Sequence, residues 1–239
     1  MRLSARNAVV TGASRGIGKA VAIAFAEEGA DVAIAARTLE ALEETRAAVE
    51  AYGRICHAMA WDVADVSVAH DRLDEARRAL NGLDIVVNNA GVHHLPNRAG
   101  SEADWDYVMA TNLKAVWFIT EEAGQLMLPT GGAVINIASD YAFRGGNSID
   151  GVSKWGVRGL TRGLGQKWAR NGVRVNGIGP GPVATEMSNW HVGDPLERPS
   201  LPLGRLTLPE EVARVAVFLA SDDASAVIGE TIVLNSTNT

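Results

Sequence analysis

An α/β fold built on a doubly wound parallel sheet of about seven strands, with helices on both faces, is predicted by three observations. Short apolar runs alternate with longer amphipathic segments along the whole 239-residue chain. Most of those runs are continuously apolar rather than alternating, as strands are when helices cover them on both sides. The first run ends in a glycine-rich turn, TGASRGIG, where a helix begins. Strand–helix alternation implies right-handed crossovers and parallel pairing. No linker, repeat or low-complexity stretch interrupts the pattern, so one domain over residues 1–239 is expected.

Taken in order, the strand NAVVT at Asn7 precedes a helix over about residues 15–28, and DVAIAA at Asp31 precedes one over 38–51. ICHAMAW at Ile55 leads to a helix over 66–80, and DIVVNN at Asp84 to a long one over 102–127. AVINIAS at Ala133 leads to 149–171, VRVNGI at Val173 to 208–221, and TIVLN at Thr231 is the last strand. Each strand segment is a short apolar run and each helix is longer and amphipathic, which is how length separates the two.

Composition narrows the function. With 47% hydrophobic and 21% charged residues the chain can bury a substantial core, and a formal charge of −6 argues against a nucleic-acid footprint or a general attraction to anionic membranes. A single cysteine, Cys56, leaves no intramolecular disulfide and no thiolate metal cluster, which suits a reducing compartment. MRLSARNAVVTGAS runs into a strand pattern without the apolar core of a signal peptide, and no run is long enough to span a bilayer. A cytoplasmic protein acting on a small molecule, without a metal, is expected.

In doubly wound sheets ligands bind outside the strand C-termini, where the strand order reverses. The turn Thr11–Gly18 stands at such a place. Gly12, Gly16 and Gly18 permit a tight turn and close backbone approach to a pyrophosphate, and the helix that follows points its first amides at the anion; Ser14, Arg15 and Ile17 share the turn. The second strand is followed by Arg37, where a protein preferring NAD would commonly offer an acid to the ribose hydroxyls. Arg37 and Arg15 suit a 2′-phosphate instead, so NADP(H) is the expected cofactor. Asp62, with Val63 beside it, follows the third strand, where its side chain reaches the adenine amino group or simply forms a turn.

Together with NNAG at Asn88–Gly91, these residues resemble the short-chain dehydrogenase/reductase family, a Rossmann-like fold, over essentially the entire chain. The resemblance includes Thr111–Asn112, the strand-end Ser139, SKWGV from Ser153 and PGPVAT at Pro180–Thr185. It implies that Asn89, Ala90 and Gly91 flank the adenosine side of the cofactor while Pro180, Gly181 and Thr185 border the nicotinamide. It further implies that Lys154 hydrogen-bonds the nicotinamide ribose, Ser139 orients a substrate oxygen and Asn112 holds a water in a proton relay. The helices over 102–127 and 149–171, which carry Trp105, Trp117, Trp155 and Trp168, would pair between subunits of a homodimer or homotetramer.

One position departs from the family. A tyrosine should stand four residues before Lys154 and supply the catalytic proton, and here the residue is Asp150. The three tyrosines, Tyr52, Tyr107 and Tyr141, are followed four places later by Cys56, Thr111 and Gly145, so no shift of register restores the motif. The segment from Ser139 to Asp150 is also shorter than the resemblance implies, by about two residues. The chain further ends in LNSTNT rather than the family's acidic, glycine-rich ending.

A tyrosine beside a lysine can exchange a proton with an alkoxide, whereas carboxyl groups ionise near about 3.9 and an ionised one has no proton to give. Tyr141, His93 and His94 are the other candidates for a proton donor, the histidines also for substrate contact. A carboxylate does suit an iminium carbon, which accepts hydride without simultaneous protonation. The expectation is therefore an NADPH-dependent reductase acting on C=N or C=O, with a lyase, isomerase, cyclase or non-turning nucleotide binder as the alternative. Residues 186–208, rich in Pro and Gly, read as a substrate lid in which Trp190 and His191 close over the ligand.

Overall fold

The computed structural model describes residues 1–93, 100–128, 130–144 and 147–236, so His94 lies outside the described residues. Its strands are β1 (Asn7–Thr11), β2 (Asp31–Ala36), β3 (Cys56–Ala60), β4 (Ile85–Asn88), β5 (Gly132–Ile137), β6 (Val173–Pro180) and β7 (Thr231–Leu234). They form one sheet in the order β3-β2-β1-β4-β5-β6-β7, with every pair parallel. The order reverses between β1 and β4, where Ala8, Val9 and Val10 pair with Ile85, Val86 and Val87. In sheets of this kind ligands bind at that point, beyond the C-terminal strand ends.

The helices are α1 (Gly16–Glu27), α2 (Glu43–Glu50), α3 (Ala69–Leu80), α4 (Glu102–Met109), α5 (Ala115–Leu126), α6 (Ile149–Trp168) and α7 (Pro209–Ala220). Because side chains alternate along a strand, Ala8 and Val10 face one layer and Val9 the other. The first layer holds Val21, Ala22 and Phe25 of α1 with Val212, Ala213 and Ala216 of α7. In the second, Leu73 of α3, Ile119 of α5 and Leu160 of α6 pack on Val86 and Val134. The central strands are buried on both faces, which explains their continuous apolar runs. No helix among the described residues is long and apolar enough to cross a membrane.

Four segments differ from the sequence expectation, one of them 66–80, which opens as a 3₁₀ turn, Val66–Val68, before α3. The segment 38–51 opens as a 3₁₀ turn, Glu40–Leu42, before α2, and 149–171 ends as one, Ala169–Asn171, closed by Gly172 at φ +76°. All three are tightened helix ends, where satisfying the terminal backbone groups competes with α geometry. The single helix expected over 102–127 is α4 and α5 joined by a π turn, Ala110–Lys114, in which the Ala115 N–H bonds the Ala110 carbonyl five residues back. The wider turn lets the consecutive Thr111 and Asn112 both be buried. Two helix starts follow their capping chemistry. Ser101 and Asp104 cap α4 reciprocally, and Ser148 accepts the Gly151 N–H at the start of α6.

The C-terminal end of α7 is closed from the sheet. Arg174 on β6 donates to the carbonyls of Leu219 (2.7 Å), Ala220 (3.3 Å), Ser221 (3.0 Å) and Ala224 (3.2 Å). Burial lowers its pKa, with the charge of Asp222 acting against that. Arg174→Met is expected to cost about 2–4 kcal/mol in urea unfolding, since several carbonyls lose a charged donor together. A loss below about 1 kcal/mol would mean that water takes over those bonds.

Candidate active site

The turn from β1 into α1 is closed by contacts that leave no room for side chains. A Cβ on Gly12, which has φ +63°, would lie 2.7 Å from the Ala90 Cα, and one on Gly18 only 2.3 Å from the Gly12 carbonyl oxygen. Asn89 draws the end of β4 onto this turn, its Nδ2 donating to the carbonyls of Thr11 and Gly12, each at 2.9 Å. The Thr11 hydroxyl donates to the Val87 carbonyl and accepts the N–H groups of Asn89 and Ala90. Sequence reasoning quoted Thr11 within the motif without a role, yet it locks the switch point. At α1 itself, Arg15 caps the helix without a side-chain hydrogen bond and the first turn carries no acid. The first amides are thus offered to an anion, and the residues present fit a dinucleotide pyrophosphate.

Around this cradle, Arg37 is exposed just past β2, without a partner among the described residues, and is free to meet a phosphate. Arg15 instead ion-pairs with Glu186, at the start of the segment expected to be a lid. Thr185 sits against the turn, 3.2 Å from where a Gly16 Cβ would be. Asp62 uses its carboxylate to accept the Ala64 N–H at 3.1 Å, the turn-forming role, while Val63 is buried. Gly181 donates its N–H to the Leu234 carbonyl, which holds the end of β6 against β7.

A second group of residues converges where α6 begins. Asp150, 7% exposed, lies in the first turn of α6, and Lys154 follows one turn later. Asn112 in the π turn donates from Nδ2 to Asp150 Oδ1 at 3.0 Å and to the Val92 carbonyl at 2.9 Å, while its Oδ1 accepts the Val92 N–H at 2.8 Å. The Ser153 hydroxyl donates to the main-chain carbonyl of Asp150 at 2.7 Å and packs 3.4 Å from Asn112 Nδ2. His93 brings Nδ1 to 3.7 Å from Asp150 Oδ2. Gly91 borders the group, since a Cβ there would sit 3.5 Å from Asn112 Oδ1 and 3.8 Å from Lys154 Nζ.

Lys154 donates to the Ile137 carbonyl at the end of β5 (3.1 Å). Burial pushes its amine down from the ordinary lysine range, and the charge of Asp150 pulls it back up. Trp155 and Arg158 donate to the carbonyls of Arg144 and Ala142, which laces α6 onto the turn carrying Ser139. Ser139 accepts the Tyr141 N–H at 3.2 Å and donates to Asp140 Oδ1 at 3.2 Å. Asp140 is a site residue that sequence reasoning missed, as nothing in the pattern of an acid beside a strand-end serine marks it.

Two of the expected substrate contacts and one proton donor have other partners. The half-buried Tyr141 has the Arg144 guanidinium over its ring at 4.0 Å, and no hydrogen bond among the described residues reaches its hydroxyl. Trp190 donates to the Asp194 carbonyl at 3.1 Å, and the main-chain N–H of His191 donates to the Asp194 carboxylate at 2.8 Å. Both residues serve to fold their own loop. That loop is anchored further on, where the Asn235 amide donates to the Arg205 carbonyl and Arg205 forks onto Glu211. Among the described residues no group of three or more His, Cys, Asp or Glu side chains could hold a metal ion.

Comparison with known proteins finds similar sequences and similar folds along the chain. A family model described as enoyl-(acyl carrier protein) reductase matches residues 12–236. Gluconate 5-dehydrogenase of Gluconobacter oxydans is 36% identical, over 98% of this chain and 94% of its own. Among solved structures, a short-chain type dehydrogenase/reductase from Mycobacterium marinum superposes with a TM-score of 0.89 at 32% identity, covering 99% of this chain and 96% of its own. A provisionally assigned 2-deoxy-D-gluconate 3-dehydrogenase from Agrobacterium tumefaciens, solved with bound NADP, gives a TM-score of 0.87 at 37% identity, covering 98% and 96%.

Proposed function

The chain belongs to the short-chain dehydrogenase/reductase family, and from that footing we propose that it is an NADP(H)-dependent oxidoreductase reducing C=N in a protonated imine or iminium in preference to C=O. The observation that carries the reading is the buried Asp150 carboxylate, held by Asn112 one turn before Lys154, where the family's phenol would stand. The glycine turn, the amides of α1 and Arg37 hold the cofactor, with Thr185 on its nicotinamide side. When bound, the reduced nicotinamide supplies a hydride. Asp150 stabilises the cationic substrate as it binds, and a cation that gains hydride becomes a neutral amine without a proton donor.

Reduction of C=O has two observations in its favour, the first being that similar proteins are named as gluconate dehydrogenases. The second is that His93, beside Asp150 Oδ2, could give a proton to a developing alkoxide. A panel pairing 1-pyrroline and its homologues with ketones of the same shape decides between the two, with NADPH consumption as the signal. Faster consumption with the ketones would reverse the assignment. Tight NADPH binding without consumption across the panel would point to a non-redox use of the pocket.

Cofactor choice is tested separately. Arg37→Ala is expected to lower the preference for NADPH over NADH by about tenfold or more, as a charge-assisted phosphate contact is lost. Equal affinities of the unaltered protein for the two in calorimetry at moderate salt would remove the 2′-phosphate assignment.

We also propose a homodimer or homotetramer assembled through α5 and α6. A groove of about 710 Å³ between them is lined by Leu113, Trp117, Phe118, Gly159, Leu160 and Gly163. Trp117 and Phe118 are 46% and 43% exposed, and a Cβ on Gly159 or Gly163 would touch nothing. Bare backbone beside exposed aromatics suits a second copy of the same helices. Light scattering at micromolar concentration is expected to give at least twice the monomer mass, and a monomer alone would refute it.

A further inference from the structure

A hydroxyl carries one proton and two lone pairs, and at Ser139 two of the three are already committed. Its proton points along the 3.2 Å bond to Asp140 Oδ1, and one lone pair takes the Tyr141 N–H at 3.2 Å. What Ser139 still offers is a single acceptor. The direction of the first bond is set by Asp140, since an ionised carboxylate only accepts. Asp140 is 4% exposed, with Arg144 Nη2 3.3 Å from Oδ2 and 3.4 Å from Oδ1, and with the Ser236 hydroxyl donating to Oδ2 at 3.2 Å. Arg144 is itself laid over the Tyr141 ring. The carboxylate is thus braced from two further sides and charged from one.

We infer that Asp140 is a positioning residue that turns Ser139 into an acceptor, so that the site selects substrates bearing an N–H donor. This rests on the C=N reading and narrows it to protonated imines and amines that keep an N–H. A ketone oxygen has no hydrogen to give Ser139, and a fully substituted iminium carries the charge without the donor. Asp150 supplies attraction for the cation, and Ser139 reads the hydrogen on it.

Binding measured by calorimetry on the full-length protein with NADP⁺ tests this without any turnover, using three ring-matched probes. Pyrrolidinium has charge and N–H, N,N-dimethylpyrrolidinium has charge alone, and cyclopentanone has only an acceptor. Pyrrolidinium is expected to bind at least tenfold more tightly than either of the others. Ser139→Ala is expected to remove most of that margin by weakening pyrrolidinium alone. In Asp140→Asn the new amide can donate to Ser139 and free its proton, so pyrrolidinium should weaken while cyclopentanone gains.

Equal weakening of all three probes by Ser139→Ala, or cyclopentanone matching pyrrolidinium on the unaltered protein, would overturn the inference. The serine variant keeps the test decisive if Asp140→Asn does not fold, as judged by circular dichroism. The two readings fail separately. The expected binding order without NADPH consumption on 1-pyrroline sinks the reductase assignment, and active imine reduction with the order reversed sinks the role of Asp140.

Discussion

Asp150→Asn is expected to lower the turnover of a protonated imine by about 10²–10³-fold, in line with losing one preorganised electrostatic partner of a reacting group. The substitution keeps the size of the side chain and can keep an oxygen toward Asn112, which now donates to Oδ1. Cofactor affinity should therefore stay within about twofold, because the cradle at β1 and α1 is untouched. What disappears is the negative charge next to Lys154. The competing view is that Asp150 is merely an acid in the first turn of α6, where it complements the helix dipole. That view predicts a stability loss of about 0.3–1 kcal/mol and unchanged chemistry. Stopped-flow measurement of hydride transfer beside a thermal melt separates them, and undiminished turnover would end the case for a working carboxylate.

The second large effect is expected at Gly18. Gly18→Ala should cost about 2–4 kcal/mol of stability and weaken NADPH binding more than tenfold, combining an overpacked site with two threatened hydrogen bonds. The new Cβ would stand 2.3 Å from the Gly12 carbonyl oxygen and 2.4 Å from Asn89 Nδ2. Neither can retreat freely. Asn89 Nδ2 is bound to Thr11 and Gly12, and Gly12 is itself packed against Ala90. Relief requires α1 to move away from the strand ends, which is the movement that spoils an anion site built from its first amides. Urea unfolding and a fluorescence titration with NADPH measure the two losses. A fully stable variant with unchanged affinity would show that the turn adapts and that the close packing is not needed.

The sheet was legible because its central strands are short apolar runs covered on both faces, and burial on both sides leaves a signal that depends on no neighbour in particular. The glycine turn was legible for a similar reason, since its spacing meets a local steric demand. Side-chain partners across the chain were harder to read. Asp62 occurs in a turn whichever of its two roles it plays, and its bond from Ala64 forms only once that turn is folded. Arg15 lies in the motif expected to reach a phosphate, yet Glu186, 171 residues later, holds it in an ion pair. Asp140 escaped notice because one of its partners, Ser236, stands 96 residues later and reaches it only once the C-terminal segment is folded. The meeting of Asp150, Asn112 and His93 likewise depends on three separate segments converging. Family resemblance singled out two of the three, and the histidine entered only as a chemical possibility.

The π turn at Ala110–Lys114 has a consequence for how this chain can change. In an α-helix each residue advances the direction of the side chains by about 100°. The widened turn absorbs one residue more than an ordinary turn, so α4 and α5 are out of phase with each other, and each has its buried stripe set independently. Substitutions on the outer faces leave that phase alone. Losing or gaining one residue between Glu102 and Leu126 would instead swing Ile119 and Ala123 from the sheet toward solvent, or carry Asn112 away from Asp150. In this stretch, length is held more tightly than composition.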